Sequence, residues 1–73
     1  MFKEYDQTEI DNIFTYHKPV EGQPEKYVAI RFRAKQFAEL IAKTCPPSRE
    51  LSIAMTKIEE SVMWANASIA RNE

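Results

Sequence analysis

EKYVAIRFRAKQFAELIAKT (residues 25–44), CPPS (45–48) and RELSIAMTKIEESVMWANASIAR (49–71) are the stretches on which the fold turns. In the first, Tyr27, Ile30, Ala34, Phe37, Ile41 and Thr44 recur at intervals of 3, 4, 3, 4 and 3. In the last, Leu51, Met55, Ile58, Val62, Ala65 and Ile69 recur at intervals of 4, 3, 4, 3 and 4. Both are heptad seams, the spacing that keeps one stripe of a helix against a neighbour. About 20 residues rising 1.5 Å each make a helix of roughly 30 Å. Pro46 and Pro47 stop the first helix, because proline lacks an N–H and crowds the preceding turn. Ser48 suits the N-cap of the second, and Glu50 places an acid where the helix dipole favours it. Two helices of near-equal length joined by four residues must be antiparallel neighbours.

Upstream, residues 8–16 predict a short helix. Thr8 followed by Asp11 resembles a capping box, and Ile10, Ile13 and Phe14 share one face. Two turns are too few to stand alone in water, so this helix must dock. Pro19, Gly22 and Pro24 punctuate the connection at residues 17–24, and Pro24 suits the first position of the long helix after it. Residues 1–7 read as an irregular extension. The expected architecture is one all-α domain over residues 1–73: a short N-terminal helix, then a long antiparallel helical hairpin.

Composition narrows the function. The 73 residues include one Gly, which disfavours a turn-rich β fold. A formal net charge of -1 speaks against coating DNA or RNA, which needs a basic surplus. One cysteine, Cys45, allows neither an intrachain disulfide nor a Cys-based structural zinc site. No apolar run approaches the ~20 residues of a membrane span, and MFKEYDQTE has no signal-peptide core, so the expected setting is cytosolic. A core this small supplies no more than ~3–5 kcal/mol as a rule. Val28, Phe32, Leu40, Met63 and Trp64 lie off the seams, and a lone hairpin cannot bury them. Both features predict a homo-oligomer, with Trp64 as an interface anchor.

Catalysis has little support. His17 is the sole histidine, and no nucleophile-elbow sequence surrounds Ser48, Ser52, Ser61 or Ser68. Glu59 and Glu60 are adjacent, so they diverge by ~100° on a helix. Cys45 reads as a small apolar residue ending a helix. No catalytic residue, metal site or cofactor is therefore expected. The Tyr16-His17-Lys18-Pro19 stretch has two readings. With Arg31, Lys35, Lys26 and Arg33 it suits an anionic aromatic ligand, since rings stack on bases and guanidiniums fork onto phosphate. Alternatively Tyr16 packs on a helix, and the cations pair with Glu25, Glu39, Glu59 and Glu60. Asn66, a poor helix former in mid-helix, reads equally as an interface residue or a ligand contact.

Four stretches taken together, Tyr16-His17-Lys18-Pro19, Ala29-Ile30-Arg31, Cys45-Pro46-Pro47-Ser48-Arg49 and Met63-Trp64-Ala65-Asn66-Ala67-Ser68-Ile69-Ala70, resemble the small phage proteins of the second anti-CBASS family. These share a helical-hairpin domain with Thoeris anti-defence sponges. The resemblance runs from about residue 10 to the C-terminus. It implies a non-enzymatic sponge, acting in the cytoplasm of the infected bacterial host, that sequesters cyclic dinucleotides such as 3′,3′-cGAMP and cyclic trinucleotides such as cyclic triadenylate. It implies a homohexamer with pockets between protomers. By the same resemblance, Tyr16 stacks on the bases of the cyclic dinucleotide and Arg31 meets its phosphate. His17, Arg71 and Arg33 are the candidates for the cyclic trinucleotide. A helical adaptor that binds a partner protein is the alternative.

Overall fold

The computed structural model describes residues 4–73. Three helices occur in order: α1 (Gln7–Phe14), α2 (Gln23–Thr44) and α3 (Arg49–Asn72). The architecture is the expected all-α one, a short helix and then two long packed helices forming a hairpin.

Boundaries shift where side chains supply better partners than the sequence pattern suggested. Asp6, not Thr8, caps α1: its carboxylate accepts the Glu9 N–H at 2.8 Å. Asp11 is engaged by the Gln7 amide at 2.7 Å, so it closes no capping box with Thr8. The helix ends at Phe14, which leaves Tyr16 outside it. α2 starts at Gln23 rather than Glu25, because Gly22 at φ 87° turns the chain into the helix just ahead of it. That left-handed backbone strains any residue with a Cβ. Ser48 caps α3 as expected, its Oγ accepting the Leu51 N–H at 3.1 Å. Cys45 closes α2 through its backbone, donating to the Ile41 carbonyl at 2.9 Å, but its side chain is exposed.

The three helices lie in one layer. The molecule measures 45 × 38 × 14 Å, and a helix with its side chains is already about 10–12 Å across. Its radius of gyration is 15.8 Å, against about 11 Å for a compact chain of this length. Its accessible surface is 6399 Å², against about 4,700 Å² for a folded monomer of this mass. No described hydrophobic side chain is fully buried. Along the seams, Ile30, Ile41, Leu51, Ile58 and Val62 are half-covered, while Phe37 remains 53% exposed. The off-seam residues Val28, Phe32, Leu40, Met63 and Trp64 are between 55% and 64% exposed. A hairpin buries a line of contact, and a core needs a second layer to close over that line.

A hairpin without an interior is expected to draw stability from whatever covers it. Raising the protein concentration about a hundredfold should therefore raise the melting temperature by more than about 5 °C. A melting temperature independent of concentration would show that the single layer is stable alone.

Candidate functional site

At one end of the hairpin, four pieces of chain converge around a cleft of about 500 Å³. The end of α1 contributes Ile13, and the segment after it contributes Thr15, Tyr16 and His17. Tyr27 and Arg31 come from α2; Asn66, Ala67, Ala70 and Arg71 come from the last turns of α3.

Local hydrogen bonding presents Tyr16. The last carbonyls of a helix have no partner within it. In α1 two side chains supply one: the Thr15 hydroxyl donates to the Asp11 carbonyl, and the His17 ring meets the Asn12 carbonyl at 2.8 Å. A carbonyl only accepts, so His17 Nε2 carries the proton in that bond. Tyr16 stands between these two pinned neighbours and is itself 81% exposed. Its ring is free to be covered by something planar.

Gln23 fixes the other end of the loop. It is the one buried polar side chain among the described residues, at 4% exposure. Its Oε1 accepts the Val20 N–H at 3.1 Å, while its own backbone N–H donates to the Val20 carbonyl at 3.1 Å. Its Nε2 reaches the Ile69 carbonyl in α3 at 3.4 Å. Beside it, Lys26 and Glu73 form an ion pair at 2.7 Å. The Lys26 hydrogen bond, helped by its charge and a smaller contribution from Gln23, holds the exposed Glu73 carboxyl below its ordinary range.

The electrostatics of the cleft are one-sided. Two guanidiniums and an imidazole line it, with no carboxylate among the lining residues, although the chain as a whole carries a net charge of -1. Among the described residues neither Arg31 nor Arg71 is held in an ion pair. None of Arg31, Lys35, Lys26 and Arg33 pairs, among the described residues, with Glu25, Glu39, Glu59 or Glu60, as the alternative reading had it; Lys26 pairs with Glu73 instead, and Glu60 with Lys57 at 3.5 Å. Cations without counter-charge beside exposed and half-exposed rings suit an anion that carries a planar group.

Of the five residues singled out from the sequence, the fold brings Tyr16, His17, Arg31 and Arg71 together. Arg33 stands apart. It donates to the Gln36 side chain at 3.1 Å, lies 5.8 Å from the Phe32 ring centre, and edges a different concavity. That concavity is the larger one, about 890 Å³, and apolar seam residues such as Phe37, Ile41, Leu51 and Ile58 dominate its wall. Its chemistry is that of an uncovered helix seam, so the smaller cationic cleft is the better ligand site.

Tyr27 also lines the cleft, although its heptad spacing assigns it to the seam. The i, i+4 relation of Tyr27 and Arg31 is the signal that pairs them on one face. Ala67 and Ala70 make room there, being too small to fill it. Among the described residues no three His, Cys, Asp or Glu side chains converge as metal ligands, and no helix is long and apolar enough to cross a membrane.

Comparison with known proteins complements this geometry. No curated protein and no solved structure matches the chain. The family model described as "Acb2/Tad1, hairpin domain" matches residues 6–70, from the cap of α1 to the last turn of α3. The chain belongs to the Acb2/Tad1 hairpin-domain family.

Proposed function

We propose that this protein is a phage anti-defence sponge that binds cyclic di- and trinucleotide messengers without cleaving them, so that the CBASS effector they activate stays silent. The observation that carries this reading is the cleft that gathers Tyr16, His17, Arg31 and Arg71 with no carboxylate among its lining residues. Membership of the Acb2/Tad1 hairpin family supports it. A cyclic dinucleotide presents two bases and two phosphates on one ring. Tyr16 stacks on a base, which is worth about 1–3 kcal/mol per base, and Arg31 forks onto a phosphate. His17 and Arg71 serve the cyclic trinucleotide. Arg33 faces the groove side of the hairpin, so it joins a ligand where another copy of the chain comes against that face.

The cleft is shallow in one chain, and the hairpin lacks a second layer. Both deficits are met when copies pack together, with the hexamer as the proposed form. Closed symmetry then offers each residue several times to a ligand that is itself cyclic. The site of action is the cytoplasm of the infected cell, where such messengers are made. The apolar groove favours one competing reading, an adaptor that seats a partner's helix.

A retention assay separates these readings. The protein is mixed with 3′,3′-cGAMP, freed of unbound ligand and heat-denatured, and the released material is chromatographed. Intact cGAMP in amounts comparable to the protein is the expected result. Cleaved product would make the protein an enzyme. If neither cGAMP nor cyclic triadenylate is retained, the adaptor reading takes over. Tyr16→Ala should weaken cyclic dinucleotide binding by about 5- to 150-fold with assembly intact; unchanged affinity would remove Tyr16 from the pocket. Trp64→Ala should weaken self-association at least about tenfold in sedimentation, as expected of a buried aromatic anchor. An unaltered assembly would show that Trp64 lies outside the interface.

A further inference from the structure

Asn66 carries two local penalties. It sits inside α3, six residues before the helix ends, where asparagine is a poor helix former. Its side-chain oxygen is fully shielded and has no hydrogen-bond partner. Native structures hold few buried acceptors in that state, because each forfeits its bonds to water without replacement. Nothing among the described residues compensates. The same residue borders the cationic cleft, one turn before Ala70 and next to Ala67, whose small side chains leave space beside it.

The guanidiniums of Arg31 and Arg71 donate only. The Thr15 hydroxyl proton and the His17 Nε2 proton are already given to the α1 carbonyls, which leaves Thr15 Oγ1 and His17 Nδ1 as acceptors. The guanidiniums suit phosphate, but a nucleobase also presents an amino group, which needs an acceptor. Thr15 Oγ1, His17 Nδ1 and the hydroxyls of Tyr16 and Tyr27 can bond to water in its absence. The Asn66 oxygen, cut off from water and from protein partners, has the most to gain from such a donor.

We infer that Asn66 is the base-reading residue of the cleft. Its terminal amide torsion is soft; the carboxamide turns outward on binding, and its oxygen accepts from the exocyclic amino group of a purine stacked on Tyr16. This inference rests on the sponge reading above and adds a specificity to it: amino-bearing purines are preferred over purines that lack the amine. The shielded oxygen is then a ground-state deficit that the ligand relieves.

The test compares cyclic di-AMP with its inosine counterpart, whose bases lack the exocyclic amine, on the wild-type protein and on Asn66→Leu. Wild type should prefer cyclic di-AMP about tenfold, the range of one hydrogen bond whose loss leaves an acceptor unsatisfied. Asn66→Leu should bind cyclic di-AMP about tenfold more weakly and show no preference. Its ligand-free melting temperature should stay level or rise, because an apolar side chain of similar size removes the orphaned acceptor. Asn66→Asp keeps the acceptor, so it should weaken both ligands through charge while retaining the preference.

Three results would overturn the inference. The preference persists in Asn66→Leu, or wild type shows none, in which case another group reads the base. Asn66→Leu loses assembly together with thermal stability while Asn66→Asp loses the preference, in which case the oxygen is satisfied by another copy of the chain. Wild type binds neither ligand and no other cyclic nucleotide, in which case the sponge reading itself fails, and this is visible before any variant is made.

Discussion

Gln23 is where the two ends of the hairpin and the connecting loop are tied. Its side chain accepts from Val20 and donates toward Ile69, and its backbone returns a bond to Val20. One residue thereby closes the turn into α2 and holds it against the last turns of α3. Among the described residues it is also the side chain most withdrawn from solvent, so its amide has few competing partners in water. The cleft residues occupy the elements that Gln23 joins. Tyr16 and His17 lie ahead of that turn, Tyr27 and Arg31 come after it, and Asn66 and Arg71 lie on the helix it grips. The Lys26–Glu73 pair acts at the same corner, but both side chains are solvent-accessible, so water and salt screen it.

Away from that corner the structure is defined by what it leaves uncovered. A layer 14 Å thick gives each helix at most one neighbour on a side. The hairpin seam is half-covered, and α2 carries Val28 and Phe32 on the side turned away from the seam. Apolar area on two sides of one layer favours an assembly in which each chain uses more than one surface. The small chain then needs no large interior of its own, and one end of it is left to the cationic cleft. This division accounts for the coexistence of a large apolar groove and a smaller cationic cleft in 73 residues.

The helices and the turn were legible because their signals are local. Heptad spacing marks the seam, two prolines bar α2 from continuing, and Ser48 directly after them caps α3. Even so, local rules misplaced the start of α1. Thr8 and Asp6 are both acceptable caps, and the choice between them is made by which oxygen meets the Glu9 N–H. Residues 1–3 of the expected irregular extension lie outside the described residues. The site was legible in part. Tyr16, His17 and Arg31 stood out as rings and cations near a loop, and Arg71 rested on a resemblance alone. Tyr27 was hidden by its seam spacing, and Arg33 shares a helix with Arg31 but not its face.

Helix content, hairpin connectivity and family membership are determined by the sequence itself, since each depends on residues a few positions apart or on a pattern along the chain. The cleft is not. Its members lie between residues 13 and 71, and they meet because the antiparallel hairpin returns the end of α3 to the start of α2. That return path decides which cations face a common space, which stay unpaired, and which polar atom is left without a partner. Those are properties of distances between remote segments, and only the tertiary structure sets them.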